Sequence, residues 1–242
     1  MNTTKILILI SIILLLSFLV LQKINKNTTT NKNKLIKIDT IPDNPIDFGY
    51  KINWIAVKNG DKKEIAKIIG LSNLKPSNWK NGIENAYEKS IFISPKIGNW
   101  TLIVGNELPI ADHKNINKLE KILNDLSNKF EEAQYFGTNR IVEYHSWIKS
   151  ENGKIKRAYS YIGEKDETIK FYGKLTEPEK ELNLYNSLSD EAKLDKYWER
   201  EDLNYPDEEL VMKIAENWSI NPTKLTNRTD IKKELGLIGI LK

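Results

Sequence analysis

Acid–base chemistry in this chain would have to come from few residues, because its 242 residues include two histidines and no cysteine. One of them, His145, lies two residues after Glu143 in the stretch FGTNRIVEYHSWIKSENGKIKRAYSYIG, which begins at Phe136. Side chains two apart on a strand point to the same face, and a carboxylate there can orient an imidazole and raise its basicity. Glu143 and His145 are therefore the candidate catalytic pair, although the same pattern also fits an ordinary polar sheet surface.

A predicted β-hairpin decides which residue lies opposite His145 and could act with this pair as a nucleophile. The dipeptide Asn152-Gly153 suits the positive φ angles of a type I′ turn. If these two residues form the turn, His145 faces Ser160 across the hairpin, and a Ser-His-Glu set becomes possible. This arrangement would indicate a hydrolase. A longer turn would change the pairing but not the alternation within each strand.

The second histidine, His113, lies in ELPIADH beside Glu107 and Asp112. Together with His145 and a carboxylate it would supply enough ligands for a catalytic zinc ion, but the sequence has no HExxH spacing. Without cysteine there is no thiolate site, no cysteine nucleophile and no disulfide. No GxGxxG, GxxxxGK[ST] or GxSxG pattern occurs. The sequence therefore predicts no metal site and no cofactor.

Aromatic residues are the candidates for a binding surface, since aromatic side chains contribute much of the contact energy of interfaces. Trp79 lies in NWKNGIENAYEKS, which has no clear helical or strand period and is interpreted as a loop, the kind of segment where binding residues concentrate. Trp147 and Tyr159 lie on the predicted hairpin. The alternative for all three is a place in the hydrophobic core.

The N-terminus predicts a membrane anchor. Residues 6–21 are apolar apart from two serines, and a helix of this length is slightly short for a transmembrane span. No small-residue cleavage signal follows, so we expect residues 1–24 to be a single-pass anchor or uncleaved signal that contacts the lipid bilayer; a cleaved signal peptide and a buried helix are the alternatives. Lysines after the span favour a cytoplasmic domain, whereas export behind an N-terminal apolar segment favours an extracytoplasmic one, which we slightly prefer.

Residues 25–46 are polar and proline-containing, which predicts a flexible tether, and residues 47–242 are expected to form the globular domain. The domain begins with a strand and a helix capped by Asp61, continues with a hairpin around PKIGN, and then shows an amphipathic helix in NINKLEKILNDLSNKF. After the second hairpin, the chain is expected to be mainly helical from about residue 175. The fold class is α+β, with an antiparallel or mixed sheet and helices packed on one face.

Charge and motifs favour a protein partner. The 37 basic and 33 acidic residues are interspersed and give a net charge of +4, which does not form the concentrated basic face of a nucleic-acid binder. The stretch VMKIAENWSINPTKL only loosely resembles a helix-turn-helix, so no nucleic acid is predicted. We expect a membrane-anchored domain that binds another protein in an accessory, inhibitory or immunity-type role. The alternative is a membrane-anchored hydrolase that uses Glu143 and His145.

Overall fold

The computed structural model describes residues 39–242, which belong to one compact unit. The predicted span at residues 6–21 and most of the predicted tether lie outside the described residues. Within the described part, no helix has both the length and the apolar character needed to cross a membrane. Residues before 47 already contact the folded part, because the two carboxylate oxygens of Asp43 accept the backbone N–H groups of Trp79 and Lys80.

A single antiparallel sheet of nine strands forms the centre of the described residues. The strands follow the spatial order β2-β9-β3-β4-β1-β5-β6-β7-β8. They are β1 (Ile52–Lys58), β2 (Leu71–Ser77), β3 (Ile91–Ile93), β4 (Trp100–Val104), β5 (Glu132–Asn139), β6 (Tyr144–Glu151), β7 (Lys154–Ile162), β8 (Glu167–Gly173) and β9 (Gly236–Leu241). The predicted α+β fold with an antiparallel sheet is confirmed.

Five α-helices accompany the sheet within residues 39–242, and local sequence explains where several of them begin. They are α1 (Lys62–Ile68), α2 (Trp79–Ala86), α3 (Ile116–Phe130), α4 (Asp195–Trp198) and α5 (Glu208–Trp218). Asp61 caps α1 by accepting the N–H groups of Lys63 and Glu64, as predicted. The amphipathic helix α3 is also confirmed; it buries Ile116, Leu119, Leu123 and Leu126 on one stripe.

The helices pack on both faces of the sheet, so the prediction of one covered face is wrong. On the α3 face, Leu123 packs in one core with Ile55 and Tyr135. On the α5 face, a second core contains Trp54 and Trp147 together with side chains from α2 and α5. The central strands explain this arrangement, because β1 and β5 are buried almost without alternation and need cover on both sides.

The prediction of a mainly helical C-terminal third is also wrong. Between β8 and α5 the chain contains only short turns and the four-residue helix α4. The apolar tail forms strand β9, which pairs with β2 on one side and β3 on the other. Burial inside the sheet decides this outcome, since a short apolar run satisfies its backbone by pairing with two neighbouring strands.

One smaller expectation is corrected as well, and the loose resemblance to a helix-turn-helix does not correspond to such a motif. The segment after Asn78 is helix α2 and not a loop: the Asn78 side chain caps it, and Trp79, Ile83 and Ala86 give it a narrow buried stripe. The helix-turn-helix does not form, because α5 is followed by the single 3₁₀ turn Pro222–Lys224 and by no second helix up to residue 242.

The β6–β7 hairpin has the predicted two-residue turn but a shifted register. Asn152 and Gly153 have φ angles of 49° and 76°, as a type I′ turn requires. A β-bulge follows almost at once, so that Lys149 and not Ile148 lies opposite Arg157. Beyond the bulge every pairing differs by one residue from that of a regular hairpin.

Candidate functional site

Glu143 and His145 line the same pocket, although not for the reason that the sequence suggested. Strand β6 starts at Tyr144, so Glu143 lies before it, in a turn with a φ angle of 48°. The alternation argument therefore does not apply to Glu143. Both residues nevertheless line a cavity of about 630 Å³ at the end of the β6–β7 hairpin opposite its turn.

His145 forms part of the wall of this pocket and is only 3% exposed. Its Nδ1 atom lies 3.0 Å from the hydroxyl oxygen of Thr138, the residue opposite it on β5. Burial lowers the pKa of His145 from 6.5 to about 4, although the Asp207 carboxylate acts in the opposite direction. Above that pH the imidazole is neutral, and its Nε2 atom has no hydrogen-bond partner within residues 39–242.

Acidic side chains from three separate segments converge on the pocket. The β5–β6 turn supplies one, the turn before β8 supplies a second, and the start of α5 supplies three: Glu143, Asp166, Asp207, Glu208 and Glu209. Arg140 is the one basic lining residue in the described part of the chain, and its guanidinium lies 3.9 Å from the carboxylate of Glu208, at the limit of an ion pair. Five carboxylates therefore face one guanidinium.

The three carboxylates on α5 have a structural reason to be there, because the N-terminus of a helix favours negative charge. Asp207 is also the N-cap and accepts the N–H of Leu210. Glu143 and Asp166 have no such reason, since they belong to other elements. In addition, Glu208 is only 15% exposed in its side chain, and its Oε1 atom is buried without a hydrogen-bond partner among the described residues. The pocket thus contains one buried carboxylate oxygen that the described residues do not satisfy.

Tyrosine rings form the remaining wall. Tyr161 is buried and donates a hydrogen bond to Asp166 at 3.2 Å, and its ring meets that of Tyr205 edge-on at 6.0 Å. Tyr205 is 51% exposed and stacks on Tyr185 at 4.7 Å. Burial, followed by the nearby Asp166 carboxylate, raises the pKa of both Tyr161 and Tyr205. Two aromatic faces therefore stand beside a concentration of negative charge.

The structure does not assemble the triad or the zinc site. The shifted register places Ser160 opposite Ser146, and its hydroxyl donates to the carbonyl of Ala111 on the α3 face of the sheet. His113 is exposed and lies 2.7 Å from Glu167, away from the pocket. Within residues 39–242, no group of three or more potential ligands is arranged to hold a metal ion.

The three aromatic residues chosen from the sequence are all fully buried. Trp147 stacks on Tyr159 at 4.5 Å, and Trp79 meets Phe92 edge-on at 5.5 Å. These rings pack in the hydrophobic core and are not exposed to solvent. Sequence reasoning missed Asp166, Tyr205 and the acidic residues at the start of α5 as parts of a site.

Exposed apolar side chains occur on the irregular segment between β8 and α5. Trp198 is 53% exposed and packs against Tyr185, the same ring that supports Tyr205. Leu188 and Leu194, from the same irregular segment, are also exposed. No family model, curated protein or solved structure matches this chain.

Proposed function

We propose that the domain binds another protein and captures a basic side chain of that partner, a lysine or an arginine, in the pocket around His145. The observation that supports this most directly is the convergence of five carboxylates from separate segments on a tyrosine-lined cavity whose described lining holds a single guanidinium, that of Arg140. We further propose that the apolar segment at residues 6–21 anchors the domain to a bilayer, with the domain on the extracytoplasmic side.

The chemistry of the pocket favours a cation. Carboxylates attract an ammonium or guanidinium group more strongly in a partly enclosed site than in open water. The faces of Tyr161 and Tyr205 add a cation–π attraction. His145 is neutral above about pH 4 and so does not oppose the positive charge of the ligand.

The surroundings of the pocket favour a macromolecular ligand over a free small cation. A volume of about 630 Å³ exceeds what one basic side chain fills, which leaves space for neighbouring partner residues. Tyr205 in the lining, and Trp198, which packs against the ring that supports Tyr205, provide the exposed aromatic contact area that is common at protein interfaces. Charged residues around such an anchor mainly set specificity and the association rate.

The test uses the full-length chain in neutral detergent and a fluorescently labelled tetralysine peptide, with binding followed by anisotropy. The same peptide with acetylated lysines keeps the aliphatic stems but carries no charge on them. The pocket variant is Glu143→Gln with Asp166→Asn. The control is Asp125→Asn with Glu177→Gln, which changes the net charge equally at exposed residues outside the pocket.

We expect the pocket variant to bind tetralysine about tenfold more weakly, since two partly exposed charge contacts of about 0.5–1 kcal/mol each are lost. The control should stay within about twofold of the wild type, which is the size expected from net charge alone. Equal binding by the pocket variant and the control, or equal binding of acetylated and unmodified peptide, would contradict the proposal.

A hydrolase is the second candidate, because Glu143 and His145 do line one cavity. A pKa of about 4 makes His145 a weak base, and its bonded nitrogen contacts Thr138 and not Glu143. The lining residues that the structure describes include no serine, threonine or cysteine nucleophile, so a reaction with these residues would require an activated water. If Glu143→Gln abolished a hydrolytic activity without changing the melting temperature or tetralysine binding, this candidate would replace the binding role.

A further inference from the structure

A second cavity lies at the opposite end of the same strands. Its volume is about 920 Å³, and it runs along the β6–β7 turn and the end of β8. Its lining is rich in lysine, in contrast to the acidic pocket around His145. We call it the lysine groove; its basic lining includes Lys149, Lys154, Lys156, Lys170 and Lys174.

Ion pairs neutralise only part of this positive charge. Lys170 lies 3.2 Å from Glu120, and Lys149 lies 2.9 Å from Glu132. For the other three lysines, at positions 154, 156 and 174, no carboxylate lies within ion-pair distance among residues 39–242. The lining also contains Glu120 and Glu151, which pair with Lys170 and Lys149, so three ammonium groups of the groove have no ion-pair partner among the described residues.

The hairpin that carries two of these lysines is fixed in place by a hydrogen-bond network. Ser127 of α3 accepts the N–H of Gly153 at 3.0 Å and lies 2.8 Å from the hydroxyl of Ser150. Ser150 donates to Oδ1 of Asn124 at 2.6 Å. Asn124 lines the groove, and because its oxygen is occupied, its Nδ2 group remains a donor without a partner among the described residues. The groove is thus organised before any ligand binds, which lowers the entropy cost of binding.

The β-bulge in β7 positions the other residues of the lysine groove. Lys156 is the extra residue between the paired residues Ile155 and Arg157. Its carbonyl oxygen lies directly against Gly173, and Lys174, the residue after this glycine, also lines the groove. Tyr172, 52% exposed, adds an aromatic face to the lining.

We propose that the lysine groove binds a ligand with two or more phosphate groups. Lysine ammonium groups bind phosphate as point charges, and amide N–H groups donate to its oxygens. Three uncompensated ammonium groups match a ligand that concentrates several negative charges in a small volume. The source of the phosphates is either a soluble oligophosphate compound or the headgroups of an anionic membrane.

The test measures binding of tripolyphosphate to the full-length chain by calorimetry, with citrate as a carboxylate anion of comparable charge. The groove variant changes Lys154, Lys156 and Lys174 to glutamine. The control variant changes three exposed lysines without ion pairs elsewhere, Lys63, Lys80 and Lys96, in the same way. A second measurement follows association of the three proteins with phosphatidylcholine vesicles, with and without phosphatidylglycerol, where any contribution of the apolar N-terminus is common to all three.

We expect the groove variant to lose about tenfold or more in affinity for tripolyphosphate, while the control changes by less than about twofold. A soluble source predicts this loss with equal vesicle association of groove variant and control. A headgroup source predicts that the extra association due to phosphatidylglycerol is lost only in the groove variant and that tripolyphosphate competes with it. Equal effects of the two triple variants in both measurements, no saturable binding by the wild type in either, or equal affinity for citrate would overturn the proposal.

Discussion

The sharpest stability prediction concerns a buried carboxylate, Glu179, which connects the irregular segment after β8 to the sheet. The side chain is fully buried. Its Oε1 atom accepts hydrogen bonds from Trp147 and from Nε of Arg157, both at 2.8 Å. Its Oε2 atom accepts the N–H and the hydroxyl of Thr176, at 2.9 and 2.6 Å. Replacement by alanine removes an acceptor for four donors at once.

Arg157 makes this loss unusually large. It is 1% exposed, and its Nη2 atom lies 2.7 Å from Oε1 of Glu179, at an angle too bent for a hydrogen bond but well within an ion pair. Without Glu179 the guanidinium keeps the carbonyls of Ala158 and Tyr172 and the ring of Phe171 at 4.4 Å, but no charge partner. Removing one partner of a buried pair typically costs 3–5 kcal/mol, and the orphaned donors of Trp147 and Thr176 add to this, so we expect a loss of about 4–5 kcal/mol.

The assay is urea denaturation of the full-length chain in neutral detergent, followed by tryptophan fluorescence, for Glu179→Ala, Arg157→Met and the double variant. Each single change leaves one buried charge, whereas the double change leaves none. The double variant should therefore be less destabilised than the sum of the two single variants by about 2 kcal/mol or more. The exposed pair of Arg200 and Asp202 serves as the control, and Asp202→Asn should leave the transition midpoint unchanged.

Two results would refute this reasoning. A loss below about 1 kcal/mol for Glu179→Ala would mean that water reaches Arg157 and replaces the carboxylate. Additive effects in the double variant would mean that the two side chains stabilise the fold independently, through packing and not through their charges.

Two further predictions concern pH and the bulge. Because the folded-state pKa of His145 is about 4 and its ordinary value is 6.5, the unfolded chain takes up a proton first as pH falls between these values, and folding should lose up to about 3 kcal/mol. His145→Asn should remove this part of the acid sensitivity in denaturation curves measured from pH 7 to pH 4, and His113→Asn should leave it intact. Gly173→Ala should cost about 2–3 kcal/mol in urea denaturation, since φ is 83° and a Cβ atom would lie 1.9 Å from the Lys156 carbonyl oxygen. Gly98 has a φ of 59°, and a Cβ atom added there would meet no described atom within 4 Å, so Gly98→Ala should cost about 1 kcal/mol. Equal losses of stability for the two glycine variants would contradict the predicted clash at Gly173.

Local sequence signals were enough to predict the elements whose residues interact with near neighbours in the sequence. The cap at Asp61, the apolar stripe of α3 and the Asn152-Gly153 turn are all readable within a few residues. The position of β9 is not, because its pairing with β2 and β3 joins residues far apart in the chain, and only the geometry of the whole sheet decides it. The packing of helices on both faces of the sheet could not be predicted from local sequence for the same reason.

The pocket was partly predictable for a related reason. Glu143 and His145 are close in sequence, and their chemistry singled them out. Asp166 and the start of α5 reach the same cavity from separate segments, through loops whose lengths and turns carry no obvious periodic signal. An acidic first turn also has an ordinary explanation in the helix dipole, so sequence alone gave no reason to connect it with His145.

One extra residue in β7 determines which chemistry the hairpin can carry. In a regular hairpin His145 would face Ser160, and a nucleophile would lie beside the imidazole. The bulge at Lys156 shifts the register, so Tyr161 takes that place and Ser160 turns to the opposite face. The same shift brings Arg157 onto the face where Glu179 neutralises it. An aromatic wall beside a neutral histidine suits the capture of a cation far better than it suits acyl transfer, and the hairpin's register is therefore the physical reason to prefer a binding role over a hydrolytic one.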